Sequence, residues 1–485
     1  MDIPSTSGGQ SGVRVATPSS DADASPALST ISEDCAAIHM LDDDCLFRIF
    51  CLFSIGEKLI IEQVCRRWKR VSKLAWYRMR RLNLARAALG TTDFDKLPLQ
   101  FQNIQGIARL LRRCGQYLSI LKLGSPCHCT MISFIARHCK KLVQLEISAY
   151  HNGRNIHNTP KANGLEFFCQ KKLSNVLPSD ELGVLAWPKL YELHLRGPSQ
   201  ESDAANRNRV YLPHCYHYYI RDLKKVAMMS LENFDLRESL DSILRLKGEL
   251  TYLSLANSII GDDVFFPHLV FLEHVNVERV LEVDAEFLTM LSTSCTKLKY
   301  LNLNYCSNLD DEGMMHLWLL NELEELTVNF VPGITDFAFS GCHSLKKLSC
   351  QGCQCVRDGE LIFYLNTLPP LEYLNLQLTA VTPEILAAAN TMTKVRSSNI
   401  QLYLLVNASI IRHPHGFYDS SLLVIDGTND SVDPLRIRTK HYNPYPSYYE
   451  FEYEHGIDSE PDDWRRFFAD DYESTPPSGT PESED

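Results

Sequence analysis

The chain has 485 residues, 45% hydrophobic and 22% charged, enough for one large core or two to three ordinary ones. No run approaches 18 uninterrupted apolar residues and the first residues carry no apolar signal core, so neither a membrane span nor a secretory leader is expected. The formal net charge of −12 is concentrated: residues 450–485 hold 13 acids and two arginines, or 13 − 2 = 11 negative charges, which leaves the rest nearly balanced and without a nucleic-acid footprint. The 16 cysteines are spread through periodic segments and read as reduced thiols, which places the protein in the cytoplasm and/or nucleus.

Residues 1–34 are rich in Ser, Thr, Gly, Ala and Pro, with too little apolar surface to offset ordering entropy, and are expected to be a disordered tail. Residues 35–90 read as a helical module with a connecting helix. Leu46, Ile49, Phe50 and Phe53 form one helical stripe behind Asp42, Asp43 and Asp44, which can cap it. Ser54-Ile55-Gly56 breaks that helix. Ile61, Val64, Cys65, Trp68 and Val71 continue at steps of three and four, with Arg66, Arg67, Lys69, Arg70 and Lys73 on the opposite face. Two or three short amphipathic helices in so few residues leave a marginal core and want a partner.

At Leu41, Leu46, Ile49-Phe50, Val64-Cys65, Arg66-Arg67, Trp68 and Leu74-Ala75-Trp76 this stretch resembles the F-box in order and spacing. Asp42 stands where that family usually has Pro, so the helix can still start but one packing contact with the adaptor is lost. The resemblance implies docking on a Skp adaptor through Leu41, Leu46, Ile49, Phe50, Val64, Cys65 and Trp68.

Residues 77–105 read as a connector, beginning with a basic helix from Tyr77 to Leu89. From 104 to 405 the chain repeats L-x-x-L-x-L, from Leu118-Leu121-Leu123 to Leu371-Leu374-Leu376. Successive starts from Leu250 differ by 22, 26, 25, 22 and 26 residues, the period of a leucine-rich repeat. Each unit predicts a strand, then a capped return segment such as Leu309-Asp310-Asp311 or Ile334-Thr335-Asp336. Cys139, Cys295, Cys306, Cys342 and Cys353 recur at fixed offsets, which resembles the cysteine-containing repeats of F-box proteins. The expected fold class is α/β: a small all-helical F-box, then a curved leucine-rich-repeat solenoid, between disordered tails. Insertions are expected near 151–180 and 198–222, Leu231-Phe234-Leu236 as a degenerate repeat, and residues 406–438 as a capping segment. Residues 439–485 read as an acidic disordered tail, with Thr475 and Thr480 before prolines as candidate phosphosites.

Residues between the repeated leucines face the concave side. One column reads Ile120, Gln144, Glu192, Tyr252, His274, Tyr300, Glu325, Lys347 and Tyr373; the next includes Asn276, Asn302 and Asn375. This mixed, mostly neutral surface suits a protein or peptide, and Tyr252, His274, Tyr300, Asn302, Tyr373 and Asn375 are its candidate binding residues. Cys350-x-x-Cys353 has zinc-like spacing, but Cys342, Cys350 and Cys353 occupy repeat positions, so no metal and no cofactor is assigned. No phosphate loop, nucleophile elbow or zincin motif is present, so the chain is read as a non-catalytic subunit. Together the resemblances imply the substrate-recognition subunit of a Skp–cullin–F-box ubiquitin ligase, partnered by adaptor, cullin and an unknown protein target, without nucleic acid or membrane. The alternative is a repeat scaffold or regulator whose F-box is vestigial.

Overall fold

Three short helices open the described chain, and each starts on a side chain that satisfies its free amides. The computed structural model describes residues 38, 40–85, 93–124, 131–148, 187–197, 210–212, 220, 223, 225–245, 247–261, 269–367, 371–411 and 418–427. Asp42 accepts the Cys45 amide at 2.7 Å and starts α1 (Asp43–Leu52). Ser54 and Glu57 cap α2 (Ile55–Ile61) reciprocally: the Ser54 amide donates to the Glu57 carboxylate at 2.7 Å and the Glu57 amide to the Ser54 hydroxyl at 3.4 Å. Cys65 starts α3 (Arg66–Ala75), its Sγ accepting the Trp68 amide at 3.3 Å. The spacing from Ile61 to Trp68 therefore runs across a break, and Val64 and Cys65 lie outside any helix. Leu46, Phe50, Ile61, Val71 and Ala75 close the small core, with Trp68 edge-on to Phe50 at 5.3 Å.

The solenoid begins earlier than the repeat pattern suggests. Where a connecting helix from Tyr77 to Leu89 is expected, Trp76–Arg78 is one tight turn and Arg81–Leu84 is a strand. Leu82 and Leu84 point inward while Arg81 and Asn83 are exposed, the period of two that a half-buried strand requires. Thirteen described strands form one open parallel sheet, from Arg81–Leu84 through Tyr300–Asn302 to Leu423–Asp426. Its register aligns Leu121, Leu145, Leu193, Met229, Leu253, Val275, Leu301, Leu326, Leu348, Leu374, Leu404 and Ile425 in one spine. The expected degenerate repeat is corrected by that register. The strand is Met228–Glu232, so the unit reads Val226-Met229-Leu231, while Phe234–Asp235 pairs with Val210–Tyr211 in a separate two-stranded sheet. The strand Leu423–Asp426, inside the expected capping segment, extends the main sheet.

The return segments lock neighbouring repeats. Asp284 and Asp310 cap the helices Ala285–Ser294 and Asp311–Met315 by accepting the Phe287 and Gly313 amides at 2.9 and 3.0 Å. The next acid in the repeat reaches across: Asp311 accepts the Thr335 amide at 2.7 Å, Asp336 the Glu360 amide at 2.8 Å and Asp358 the Thr382 amide at 3.0 Å. No unit buries its strand face alone, so these links and the shared spine make stability a property of the stack.

Module and solenoid share a core. Ile55, Leu59 and Trp76 pack into the same cluster as Leu82, Leu84, Ile107 and Leu110. Glu62 bridges the two, accepting from Trp76 Nε1 at 2.8 Å and from Arg113 at 2.9 Å. Lys247 is wholly buried, and its amine donates to the Ile220 and Leu223 carbonyls at 2.7 and 2.6 Å, tying the end of the second insertion to the repeats. All described residues belong to one unit ending at Gly427, and no described helix is long and apolar enough to cross a membrane. The bulk of both insertions, both tails and the candidate phosphosites lie outside the described residues.

Candidate functional site

Two faces of the molecule offer binding surface. On the helical module, Leu52 and Val64 are 86% and 56% exposed, and Met40 and Ile60 are exposed with them. Leu41, Ile49, Phe53 and Trp68 are half-buried beside the module's core. The indole N–H of Trp68 is buried and has no partner among the described residues. Arg67 and Arg70 clamp Asp43 at 2.7 and 3.0 Å, and Arg67 also donates to the Leu41 carbonyl, which fixes the chain entering α1. Those two guanidinium groups, the Arg67 hydrogen bond first, hold the Asp43 carboxyl below its ordinary range.

The seven sequence candidates for the adaptor divide. Leu41, Ile49, Val64, Cys65 and Trp68 reach the surface wholly or in part. Leu46 and Phe50 do not: at 0% and 1% exposure they hold the helices together, because their stripe is the one α1 turns toward α3. Met40, Leu52 and Ile60 were not singled out. Their signal is an apolar residue off the stripe: Leu52 falls two after Phe50 and one before Phe53, spacings that do not share a face, and one of Leu59-Ile60-Ile61 must point outward.

On the solenoid, the register brings Tyr252, His274 and Tyr300 side by side, with ring centroids 6.2 and 5.8 Å apart. Glu325 and Lys347 follow as an ion pair, then Tyr373 stacked on Tyr403 at 6.1 Å, with the Tyr403 hydroxyl donating to Asp426 at 2.6 Å. Burial, with Glu232 nearby, pushes the Tyr252 phenol up to about 12, and burial raises Tyr300 as well. Both phenols therefore stay neutral at physiological pH. Burial lowers the His274 imidazole, which favours its neutral form. At the other end of the face, Lys122 pairs with Glu146 at 2.8 Å and Arg196 with Glu232 at 2.7 Å.

Asn302 and Asn375 leave the candidate list. They are 7% and 0% exposed, and their side-chain oxygens accept the backbone amides of Asn304 and Gln377 at 3.0 and 3.1 Å. Asn276 does the same for Glu278 at 3.1 Å. This column turns the chain at each strand end, as an Asx turn does. Beside it runs a rim that sequence reasoning missed. Arg279, Tyr305 and Phe330 have φ near +60°, where Gly or Asn is cheaper. Arg279 lies 4.4 Å above the Tyr305 ring, and Tyr305 stacks on Phe330 at 5.0 Å. Gly352, the next residue in this column, leaves room for the Phe330 ring, since any Cβ there would collide with it. The missed signal is positional: each follows its strand by the same three residues.

The repeat cysteines are structural. Cys306, Cys350 and Cys353 are buried and their thiols face the carbonyls of Val277, Asn375 and Val328 at 3.2, 3.6 and 3.0 Å. Burial raises all three thiols, which disfavours the thiolate that a metal or a nucleophilic step needs. Cys355 is exposed, and no group of three or more His, Cys, Asp or Glu among the described residues is placed to hold a metal ion.

An open parallel sheet with a leucine spine and returning helical turns defines a solenoid of the leucine-rich-repeat type. No protein-family model matches the chain. EEED8.10 of Caenorhabditis elegans, provisionally named an RNA-binding protein, is 24% identical over 417 residues, 82% of this chain and 48% of that relative. The chain thus spans about half the length of this curated relative. Similar solved structures include a chain of the yeast Rad7–Elc1 complex (14% identity, TM-score 0.40, covering 83% of this chain and 96% of that one). A Listeria monocytogenes internalin, inlF, gives 16% identity and a TM-score of 0.38 over 77% of this chain and 94% of its own.

Proposed function

We propose that this chain is the target-recognition subunit of a Skp–cullin–F-box ubiquitin ligase and performs no bond chemistry itself. One observation carries the reading: the helical module that bears the F-box-like pattern exposes Leu52, Ile60 and, in the turn after α2, Val64 to water while joined through a shared core to a repeat solenoid. A small helical module with that much apolar surface calls for a partner. Fixing it to the solenoid through Glu62 and Trp76 gives an adaptor and a target a constant separation, so target lysines gain effective concentration near the transferring enzyme. Tyr252 and Tyr300, half-buried on either side of the buried His274, are the proposed target anchor.

The name of the nematode relative brings RNA into view, and the concave face gives it less support. Lys122, Arg196 and Lys347 each pair with a glutamate, so the described columns offer no continuous basic track for a phosphate backbone.

The test is co-purification of the full chain with the Skp adaptor and cullin, beside a Leu52→Ser/Val64→Ser double variant. Both side chains are exposed, so the variant should fold as the parent does. Adaptor and cullin captured by the parent and lost by the variant support the ligase reading. Capture by neither sinks it and leaves the scaffold with a vestigial module.

A further inference from the structure

The outer surface of the solenoid carries an apolar patch that neither the packing nor the proposed function uses. Three consecutive repeats return through the helix Asp311–Met315 with the turn His316–Leu319, the turn Asp336–Phe339 and the helix Gly359–Thr367. These segments pack side by side. Met315, Trp318, Phe337 and Phe363, one or two from each, are between 55% and 61% exposed. Together they leave on the order of 450 Å² of apolar side chain in water. Single exposed apolar residues are ordinary, but four on adjacent helical turns form a patch. The core is complete without them, since Met314, Leu317, Phe339, Leu361 and Tyr364 from the same segments are buried. Trp318 also has a fixed base: a Cβ on Gly341 would lie 2.6 Å from its own Cβ, so the next repeat's backbone abuts it.

The charge around the patch is one-sided. Residues 310–322, 335–343 and 356–367 contain seven acids and one arginine. Asp310, Asp311, Asp336 and Asp358 are occupied with backbone amides. The others, Glu312, Glu322 and Glu360, form no ion pair among the described residues. Glu312 precedes Met315 by three and Glu360 precedes Phe363 by three, so each acid shares a helical face with an exposed apolar side chain. A second copy of this chain would bring like charge to like charge, which disfavours self-association here.

We propose that this convex patch is a second docking surface, and that its occupant is a basic amphipathic segment of another protein. Its apolar side chains would lie on Trp318, Phe337 and Phe363, and its lysines or arginines would meet Glu312 and Glu360. The surface is separate from both the helical module and the concave face, so the proposal stands whether or not the ligase reading does.

The probe is a phage-displayed library of random peptides long enough for about four helical turns. The full chain is the bait, and the Trp318→Ala/Phe363→Ala chain serves for counter-selection. The expected outcome is enrichment of sequences with apolar residues at helical spacing and an excess of Lys and Arg. Their affinity, read by fluorescence anisotropy, should fall about tenfold or more in the Trp318→Ala/Phe363→Ala chain. It should fall by a smaller factor in Glu312→Gln/Glu360→Gln and at high salt. An unchanged melting temperature shows that the variants fold. No enrichment, or enrichment without basic excess, overturns the proposal. So does binding that survives the aromatic substitutions, which would assign it to the acids of residues 450–485. A dimer of the full chain that the aromatic substitutions dissolve would give the patch to a second copy and also overturn it.

Discussion

The helical module and the solenoid solve the same problem, how to bury enough apolar surface, in opposite ways. The solenoid repeats one small solution: a leucine spine in register across thirteen described strands, with each unit closing its neighbour's face. The module has five buried side chains of its own and borrows the rest from the first repeats through Ile55, Leu59 and Trp76. The consequence is that a given residue type means different things in the two regions. A leucine at a spine position is structural in every repeat. An apolar residue in the module is core or docking surface according to which side of a ten-residue helix it lies on, as Phe50 and Leu52 show.

The sharpest way to break this comparison is Phe50→Ala. It removes a fully buried ring that Trp68 meets edge-on and should cost about 3–5 kcal/mol. A core this small has a margin of only about 3–5 kcal/mol, so the module should open while the solenoid persists. Native-state hydrogen exchange should show α1 and α3 amides losing protection and the Leu301 and Leu326 amides keeping it. Loss of protection everywhere would show instead that module and repeats unfold as one unit. Next in size is Lys247→Met inside the solenoid. It strips the donor from two buried carbonyls and should lower stability by about 2–4 kcal/mol, seen as a lower urea midpoint. A shift under about 0.5 kcal/mol would mean that water or another donor replaces the amine.

What was legible in the sequence follows the same division. From Tyr252 onward the first concave column was legible, because a parallel register without slips puts equivalent residues of each repeat side by side, as Tyr252, His274 and Tyr300 are; Met228, which the register sets between Glu192 and Tyr252, was not. Legibility failed where a second pattern overlapped the first. Val226-Met229-Leu231 and Leu231-Phe234-Leu236 both fit the repeat, and only pairing with Leu193 and Leu253 selects the former. Arg81-Leu82-Asn83-Leu84 alternates over too few residues to outweigh the basic run before it. In the module, helical spacing persists through Glu62–Cys65 although the helix does not, because spacing counts residues and a cap such as Cys65 acts through hydrogen bonds. Partner-facing residues such as Leu52 are hidden for a related reason: periodicity identifies the face that packs internally and says little about a second one.

A smaller effect separates structure from recognition within the concave face. Asn302→Ala should cost about 1 kcal/mol of stability through the lost bond to the Asn304 amide, with target affinity unchanged. Tyr300→Ala should reduce affinity for a captured target about tenfold. Urea titration and a binding isotherm on the same preparations separate the two, and a reversal of the pattern would return Asn302 to the binding surface.

The smallest predicted effect distinguishes the two regions by pH. In the module, hydrogen bonds from Arg67 and then Arg70 hold the Asp43 carboxyl below its ordinary range. Its contribution is present above the unfolded carboxylate value and is lost only as pH falls through the lowered one, well into acid. In the solenoid, burial lowers His274, with Glu273 and Glu325 opposing that shift and Lys299 adding to it. Below about pH 6.5 the unfolded chain takes up a proton that the folded imidazole refuses, so stability should decline with acidification from there and level off under the lowered folded value. Strand amides around His274 should therefore lose exchange protection as pH falls below about 6.5, while the α1 amides hold theirs. A His274→Gln chain should not show that slope. If it does, another titrating group drives the loss, and if α1 opens first, the module and not the aromatic row is the acid-sensitive part of the molecule.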